Sequence, residues 1–345
     1  DEISKAVKKA LKLNFDIDPW QAHFIRRVKQ GYDAIVIAGT GYGKSVLFEG
    51  LAALASGPRR LVIVVSPLKA LERDQADQAA AKGLKTAVLN QDTSREGKVW
   101  EDARKRAQLV YLSPEMALSD SFAKRLWKDP KFRKRLAAVI VDEAHCIDEW
   151  GGDDFRPSYR LLHQLRVFTG MEVPMVACTA TARTSTFSTI WDTLGFGLRP
   201  FWGIDVGIER PNLFFHVREL RHTKKPILEV LSFLPANISD QTTRDDINKG
   251  IIYFESEAQC RSMAHELRKC LPSHLRDTVF AYSSNLSEKA KQQCWDRFMK
   301  GDIRILCATD AAGMGCNVSD VKFVIIFGRP PSFAAVIQRW GRAGR

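Results

Sequence analysis

Short, continuous apolar runs alternate with amphipathic stretches along almost the whole chain, and this alternation constrains the fold more than any other feature. In the first part the runs cover residues 34–38, 61–65, 109–112, 137–141 and 173–178. In the second they cover 213–217, 251–254, 279–282, 303–308 and 323–327. Each has strand length and is apolar on both faces, as a strand buried inside a parallel sheet must be. Helical patterns at 46–56, 257–271 and 287–299 lie between them and supply the crossovers that parallel strands require. The expectation is an α/β chain with two tandem domains, each a mostly parallel sheet with helices on both faces. Gly203, Gly207 and Pro211 interrupt the pattern, so the domains are expected at 1–205 and 206–345.

The composition excludes several classes. A length of 345 residues with 45% hydrophobic and 27% charged residues provides two packed cores and is not that of a disordered chain. No apolar run approaches the ~18 residues of a membrane span, so no membrane partner is expected. The net charge of +12 is shared about equally by the two parts, which suits a polyanion lying across both. The seven cysteines form no CxxC pair, so neither a zinc site nor a disulfide framework is expected. The chain reads as intracellular, and nuclear in a eukaryote. It begins at Asp1 without Met and stops at Arg345 inside a basic motif, as a piece of a longer protein would. Residues 124–135 hold seven basic side chains in twelve; a solvated helix face is the expected reading. The polar stretch 235–250 reads as a surface loop.

Three motifs carry chemistry. Residues 38–45 (AGTGYGKS) follow an apolar run and open a helical pattern. Gly39, Gly41 and Gly43, with Thr40, let the backbone turn its N–H groups onto phosphates; Lys44 reaches the β/γ-phosphates and Ser45 ligates Mg²⁺. ATP and Mg²⁺ are therefore the expected cofactors. The run 137–141 leads into Asp142-Glu143-Ala144-His145, where Asp142 suits the metal and Glu143 can activate the attacking water. In residues 338–345 (QRWGRAGR), Gln338 opens a cluster whose Arg342 and Arg345 can meet the charge on a transferring γ-phosphate. Because that cluster lies in the other domain from Lys44, ATP is expected in a cleft between the domains.

The ordered set AGTGYGKS, VVSPLKAL, YLSPE, DEAHC, ACTATA, ATDAAGMG and QRWGRAGR resembles a superfamily 2 helicase. Within that group, residues 142–162, the ERPNL segment at 209–213 and AAGMG resemble the RecQ-type DNA helicases. The resemblance implies two RecA-like domains that hydrolyse ATP to move 3′-to-5′ along single-stranded DNA and separate partly duplex DNA, acting as a monomer. It implies that Gln21 reads adenine and that Asn317 lies by the nucleotide. His145, Thr179 and Thr181 would couple ATP state to domain closure. Ser66, Lys69, Thr309 and Gly313 would contact DNA, as would Trp150, Phe155, Arg156 and Tyr159 of the aromatic loop after DEAH. An aromatic ring is a sequence-tolerant platform for a base, and arginine adds phosphate or cation–π contact. The chain also departs from the family: no Arg precedes Gln21, Gly152-Asp153-Asp154 replaces a His-Asp pair, and 282–286 reads YSSNL. An RNA helicase or other superfamily 2 translocase is the nearest rival. A nucleic-acid-binding module with a decayed ATPase is the more distant one.

Overall fold

The structure is a computed structural model that describes residues 1–93, 97–151, 156–222, 224–309, 318, 320–330 and 332–344. The chain divides into two compact units, Asp1–Ile208 and Glu209–Arg345.

The first unit is built on seven parallel strands: β1 (Asp33–Ala38), β2 (Leu61–Val65), β3 (Thr86–Leu89), β4 (Leu109–Leu112), β5 (Leu136–Val141), β6 (Met175–Thr179) and β7 (Phe201–Gly207). Their order across the sheet is β3-β4-β2-β5-β6-β1-β7, and all pairings are parallel, with Val64 beside Ile140 and Ile35 beside Ala177. Both faces are buried. Ile35, Ile63 and Val139 join one apolar layer, and Val36, Val62 and Ala138 the other. Successive residues point to opposite faces, which is why the central runs carry no alternating polar positions. Helices α1 (Glu2–Leu11), α2 (Pro19–Lys29), α3 (Lys44–Ala53), α4 (Lys69–Ala81) and α5 (Gly97–Lys105) include the covering elements that matter below.

The second unit has four parallel strands: β8 (Gly250–Tyr253), β9 (Val279–Tyr282), β10 (Ile305–Ala308) and β11 (Phe323–Ile326), ordered β11-β8-β10-β9. The helices Glu257–Lys269, Glu288–Lys300 and Phe333–Trp340 accompany them. The tandem parallel-sheet architecture expected from the sequence is present. Two strands, β3 and β7, were not expected, and they form the edges of the first sheet. Both mix apolar with exposed or polar positions, as Thr86 and Asp205 show, because an edge strand is covered less completely. The expected strand at 213–217 is absent from the ladders. Phe214 and Val217 are 92% and 85% exposed, while Leu213 packs into the core and Phe215 meets Trp340 at 4.7 Å between ring centroids. Residues 213–217 pair with none of the described strands.

Among the described residues no helix is long and apolar enough to cross a membrane, and no three His, Cys, Asp or Glu side chains group as a metal cage.

Candidate functional site

In an all-parallel sheet the strand C-termini share one edge, and loops leaving that edge collect ligand-binding groups. Here β1 runs into the glycine loop, β2 into Ser66, β4 into the Ser113–Glu115 segment, β5 into Asp142 and Glu143, and β6 ends on Thr179. One edge of the first unit thus gathers motifs scattered over 140 residues of sequence.

The glycine loop is shaped for close approach of an anion. Gly41 and Gly43 have φ of 92° and 75°, a region that side-chain-bearing residues rarely adopt. A Cβ on Gly43 would lie 2.8 Å from Gln21 Nε2. Gly43 caps α3, so the first amides of that helix, which have no intrahelical acceptors, point out of its N-terminus with the positive end of its dipole. Lys44 Nζ lies in the loop, donating to the Ala38 carbonyl at 2.7 Å. Gln21 is buried and occupied at both ends: Nε2 donates to the Tyr42 carbonyl at 3.0 Å, and Oε1 accepts from Asp18 N–H at 2.9 Å. In this structure it braces the phosphate loop.

Asp142 is buried and gripped from two sides. Gln75 Nε2, on α4, donates to Oδ2 at 2.9 Å, and the Glu143 amide donates to Oδ1 at 3.0 Å. Burial, with the Glu143 charge adding to it, raises the Asp142 pKa to about 6, against the lowering effects of Gln75 and Lys44. A carboxylate so deprived of solvent gains most from a cation, and Mg²⁺ typically takes one or two protein oxygens plus phosphate. Ser45 and Asp142 fit that role. Glu143 has φ of 48°, a strained backbone for a non-glycine residue that recurs at functional positions.

His145 continues the chain of contacts. Its Nδ1 lies 3.0 Å from Thr179 Oγ1 and 3.5 Å from Glu143 Oε2. Thr179 Oγ1 in turn donates to the Thr181 carbonyl at 2.9 Å. The Ala144 amide donates to the Cys178 carbonyl at 2.9 Å. The DEAH and TAT segments are thereby locked together. The Thr181 hydroxyl is buried without a partner among the described residues.

Arg156 ties the aromatic loop to the same edge. It forms a two-pronged pair with Glu115, at 2.9 and 2.6 Å, and donates to the Pro67 carbonyl. Its guanidinium sits over the Trp150 and Tyr159 rings, 5.8 and 5.3 Å from their centroids. Trp150 is half-buried, edge-on to Tyr159 at 6.1 Å. Tyr159 itself is wholly buried; it offers no face to a base and supports Trp150 from within the core. Ser66 is likewise buried, its hydroxyl lacking a partner among the described residues. Lys69 is exposed and paired with Asp92 at 2.9 Å. Phe155 lies outside the described residues.

In the second unit, Thr309 follows β10 half-buried, its amide donating to the Tyr282 carbonyl at 3.3 Å. Gln338 is half-buried on the helix Phe333–Trp340, and Arg342 is buried just beyond it. Gly313, Asn317 and Arg345 lie outside the described residues.

Sequence reasoning missed Gln75, Glu115 and Glu72. Gln75 stands 67 residues from the carboxylate it holds, and no local pattern marks it. Glu72, one turn earlier on α4, is fully buried; Asn90 Nδ2 donates to one oxygen at 3.0 Å and the other has no partner among the described residues. Burial raises its pKa from 4.5 to about 7, opposed by the Asn90 bond and the Lys69 and Arg156 charges and reinforced by Glu115. The unfolded chain ionises near 4.5 and the native chain near 7, so Glu72 costs stability progressively as pH rises between those values. Glu72→Gln should therefore raise the melting temperature at pH 8 by several degrees, for on the order of 2–3 kcal/mol, and change it little at pH 5. Calorimetry at the two pH values checks this; an equal effect at both would refute it.

The comparisons with known proteins agree with this geometry. The model for the DEAD/DEAH box helicase family matches residues 18–190, and that for the helicase conserved C-terminal domain matches 229–345. The chain is 31% identical over 329 residues to the ATP-dependent DNA helicase RecQ of Haemophilus influenzae, covering 94% of this chain and 48% of the relative. It is 30% identical to the ATP-dependent helicase SGS1 of Saccharomyces cerevisiae, covering 100% of this chain and 23% of the relative. The chain thus spans about half or less of the length of these relatives. Among solved structures, the DUF1998 helicase MrfA bound to DNA and AMPPNP superposes with a TM-score of 0.77 at 16% identity, covering 100% of this chain and 48% of that one, a likeness of fold.

Proposed function

Since the chain belongs to the DEAD/DEAH box helicases, and within them to the RecQ-type DNA helicases, we propose that it is the motor part of an ATP-dependent DNA helicase that moves 3′-to-5′ on single-stranded DNA. The observation that carries the ATPase reading is the edge where a glycine phosphate loop leaves β1 and a braced Asp142 and a strained Glu143 leave β5, with only β6 between them in the sheet.

In this reading the amides of the glycine loop and Lys44 hold the β/γ-phosphates of ATP. A magnesium ion on Ser45 and Asp142 would draw charge from the phosphate oxygens. Glu143 orients the attacking water and takes its proton. Arg342, with Arg345, meets charge building on the γ-phosphate from the second unit. The bond between His145 and Thr179 gives the phosphate site a route to the TAT segment, and thence to the coupling of ATP state with movement. The Arg156–Glu115 pair and the Arg156 bond to Pro67 connect the loop after DEAH to the segments after β2 and β4. That is the route by which a strand on Trp150 and Lys69 reaches the ATP site.

Two measurements test this. The first is displacement of streptavidin from biotinylated oligonucleotides during ATP hydrolysis. Stripping from the 5′ end alone is expected of 3′-to-5′ movement, and stripping from the 3′ end alone would reverse the direction. The second is Trp150→Ala. It should cut DNA-stimulated hydrolysis about tenfold while sparing the basal rate, because a stacked base is worth ~1–3 kcal/mol. An equal fall in both rates, with a lower melting temperature, would make Trp150 a packing residue only.

A further inference from the structure

The opposite edge of the first sheet, where the strands begin, carries a second charged surface. Arg60 immediately precedes β2, Lys85 precedes β3 and Arg135 precedes β5. With Lys105 and Arg106 at the end of α5 they line a concavity of about 660 Å³ that contains no acidic side chain among the described residues. Lys105 also lines a second concavity of about 600 Å³, bordered by Lys124, Arg125 and Lys128 and by two carboxylates, Glu101 and Asp129, which pair with Lys105 and Arg104. Part of the basic run at 124–135 therefore shares this charged region, where Lys124, Arg125 and Lys128 stand with Arg104 and Lys105 against two carboxylates.

Part of this charge has a structural use. Arg135 donates to the Ala103, Arg104 and Ala107 carbonyls at the end of α5, and its pKa is lowered by burial and by neighbouring Arg60. Lys105 and Arg106 pair with Glu101 and Asp102 one turn back. The remainder is unexplained by the fold. Among the described residues, Lys85, Lys124 and Lys128 are exposed with no carboxylate partner, and Arg60 is exposed with its guanidinium on the Gly57 carbonyl and no carboxylate. Like charges kept close without counter-charges cost free energy unless an anion meets them.

We propose that this edge is a second nucleic-acid-binding face, which takes the phosphodiester backbone of duplex DNA through Arg60, Lys85, Lys124 and Lys128. Three observations favour that ligand. The cations are spread along the edge: the strand order β3-β4-β2-β5 places Lys85 and Arg135 about 14 Å apart at ~4.8 Å per strand, which suits an extended polyanion better than a compact one. Among the described residues the face has no aromatic platform, since Trp100 is buried beneath Arg125 at 5.0 Å and Trp127 and Phe132 are buried too. A surface of cations without stacking rings grips backbone and not unstacked bases. Finally, the six residues of β5 hold this edge about 20 Å from Asp142, so a duplex here leaves the phosphate loop and the Trp150 loop clear.

The proposal goes beyond the motor reading and stands independently of it, because its deciding readout, duplex binding, needs no nucleotide. The test is binding of a blunt duplex to wild type and to the R60Q/K85Q/K124Q/K128Q variant, by fluorescence anisotropy across a salt series. Four lost phosphate contacts should reduce the slope of log affinity against log salt by about 3–4 and weaken binding at least about tenfold at 100 mM salt. Single-strand-stimulated ATPase and melting temperature should stay at wild-type values, which shows that the variant is folded. Unchanged slope and affinity for the duplex would overturn the proposal. So would unchanged duplex binding with lost binding of tripolyphosphate, which would mark a small-polyanion site.

Discussion

Glu143→Gln should bind ATP normally and hydrolyse it roughly 10²–10⁴ times more slowly, the range that a general base contributes. Glutamine keeps the shape and can hold the same φ of 48°, so the loss reports the missing base and not a collapsed loop. Removing the Glu143 charge also removes one of the two causes that raise the Asp142 pKa. Asp142 should then ionise more readily, and metal-dependent nucleotide binding should hold or tighten. Lys44→Ala is expected to give the contrasting result, weak nucleotide binding and loss of turnover together, since the proposed role of its ammonium is to act on the phosphates directly. Single-turnover hydrolysis beside equilibrium binding of a fluorescent ATP analogue separates the two. Turnover at the wild-type rate by Glu143→Gln would remove Glu143 from the role of base.

The second large effect is expected from the other unit. Arg342→Ala should lower hydrolysis by about 10³–10⁵, the usual contribution of an arginine that stabilises transition-state charge, with little change in ATP affinity. Arg342→Lys should rescue only part of this, because a point charge does not reproduce the guanidinium fork. Arg339 provides the control from the same segment. It is buried with its guanidinium 5.2 Å from the centre of the Tyr253 ring, and its replacement should lower the melting temperature first. A matched fall in ATP affinity and turnover on Arg342→Ala would point to ground-state binding instead.

What the sequence disclosed and what it withheld divide along a physical line. Buried central strands such as β2 and β5 were legible because both faces must be apolar, so the composition of five or six residues suffices. The edge strands β3 and β7 were not, since partial exposure admits Thr86 and Asp205. The glycine loop and DEAH segment were legible because their chemistry is local: turn glycines, a lysine and two carboxylates within eight residues or fewer. The supports were hidden because they are not local. Gln75 reaches Asp142 across 67 residues and Arg156 reaches Glu115 across 41. Glu72 lies in a polar helical stretch (LERDQADQ) that reads as solvated, and only the packing of α4 on the sheet shows it to be buried. Tyr159 fails in the opposite direction. Its place in an aromatic loop suggested contact with DNA, whereas the fold spends it on the core.

The most direct test of the account is the ATPase rate of this chain with no nucleic acid, single-stranded DNA, duplex DNA and RNA, measured side by side at one salt concentration. The account predicts a low basal rate that single-stranded DNA raises most, and that Glu143→Gln abolishes in every condition. Stimulation by RNA alone, or hydrolysis that no nucleic acid alters, would contradict it.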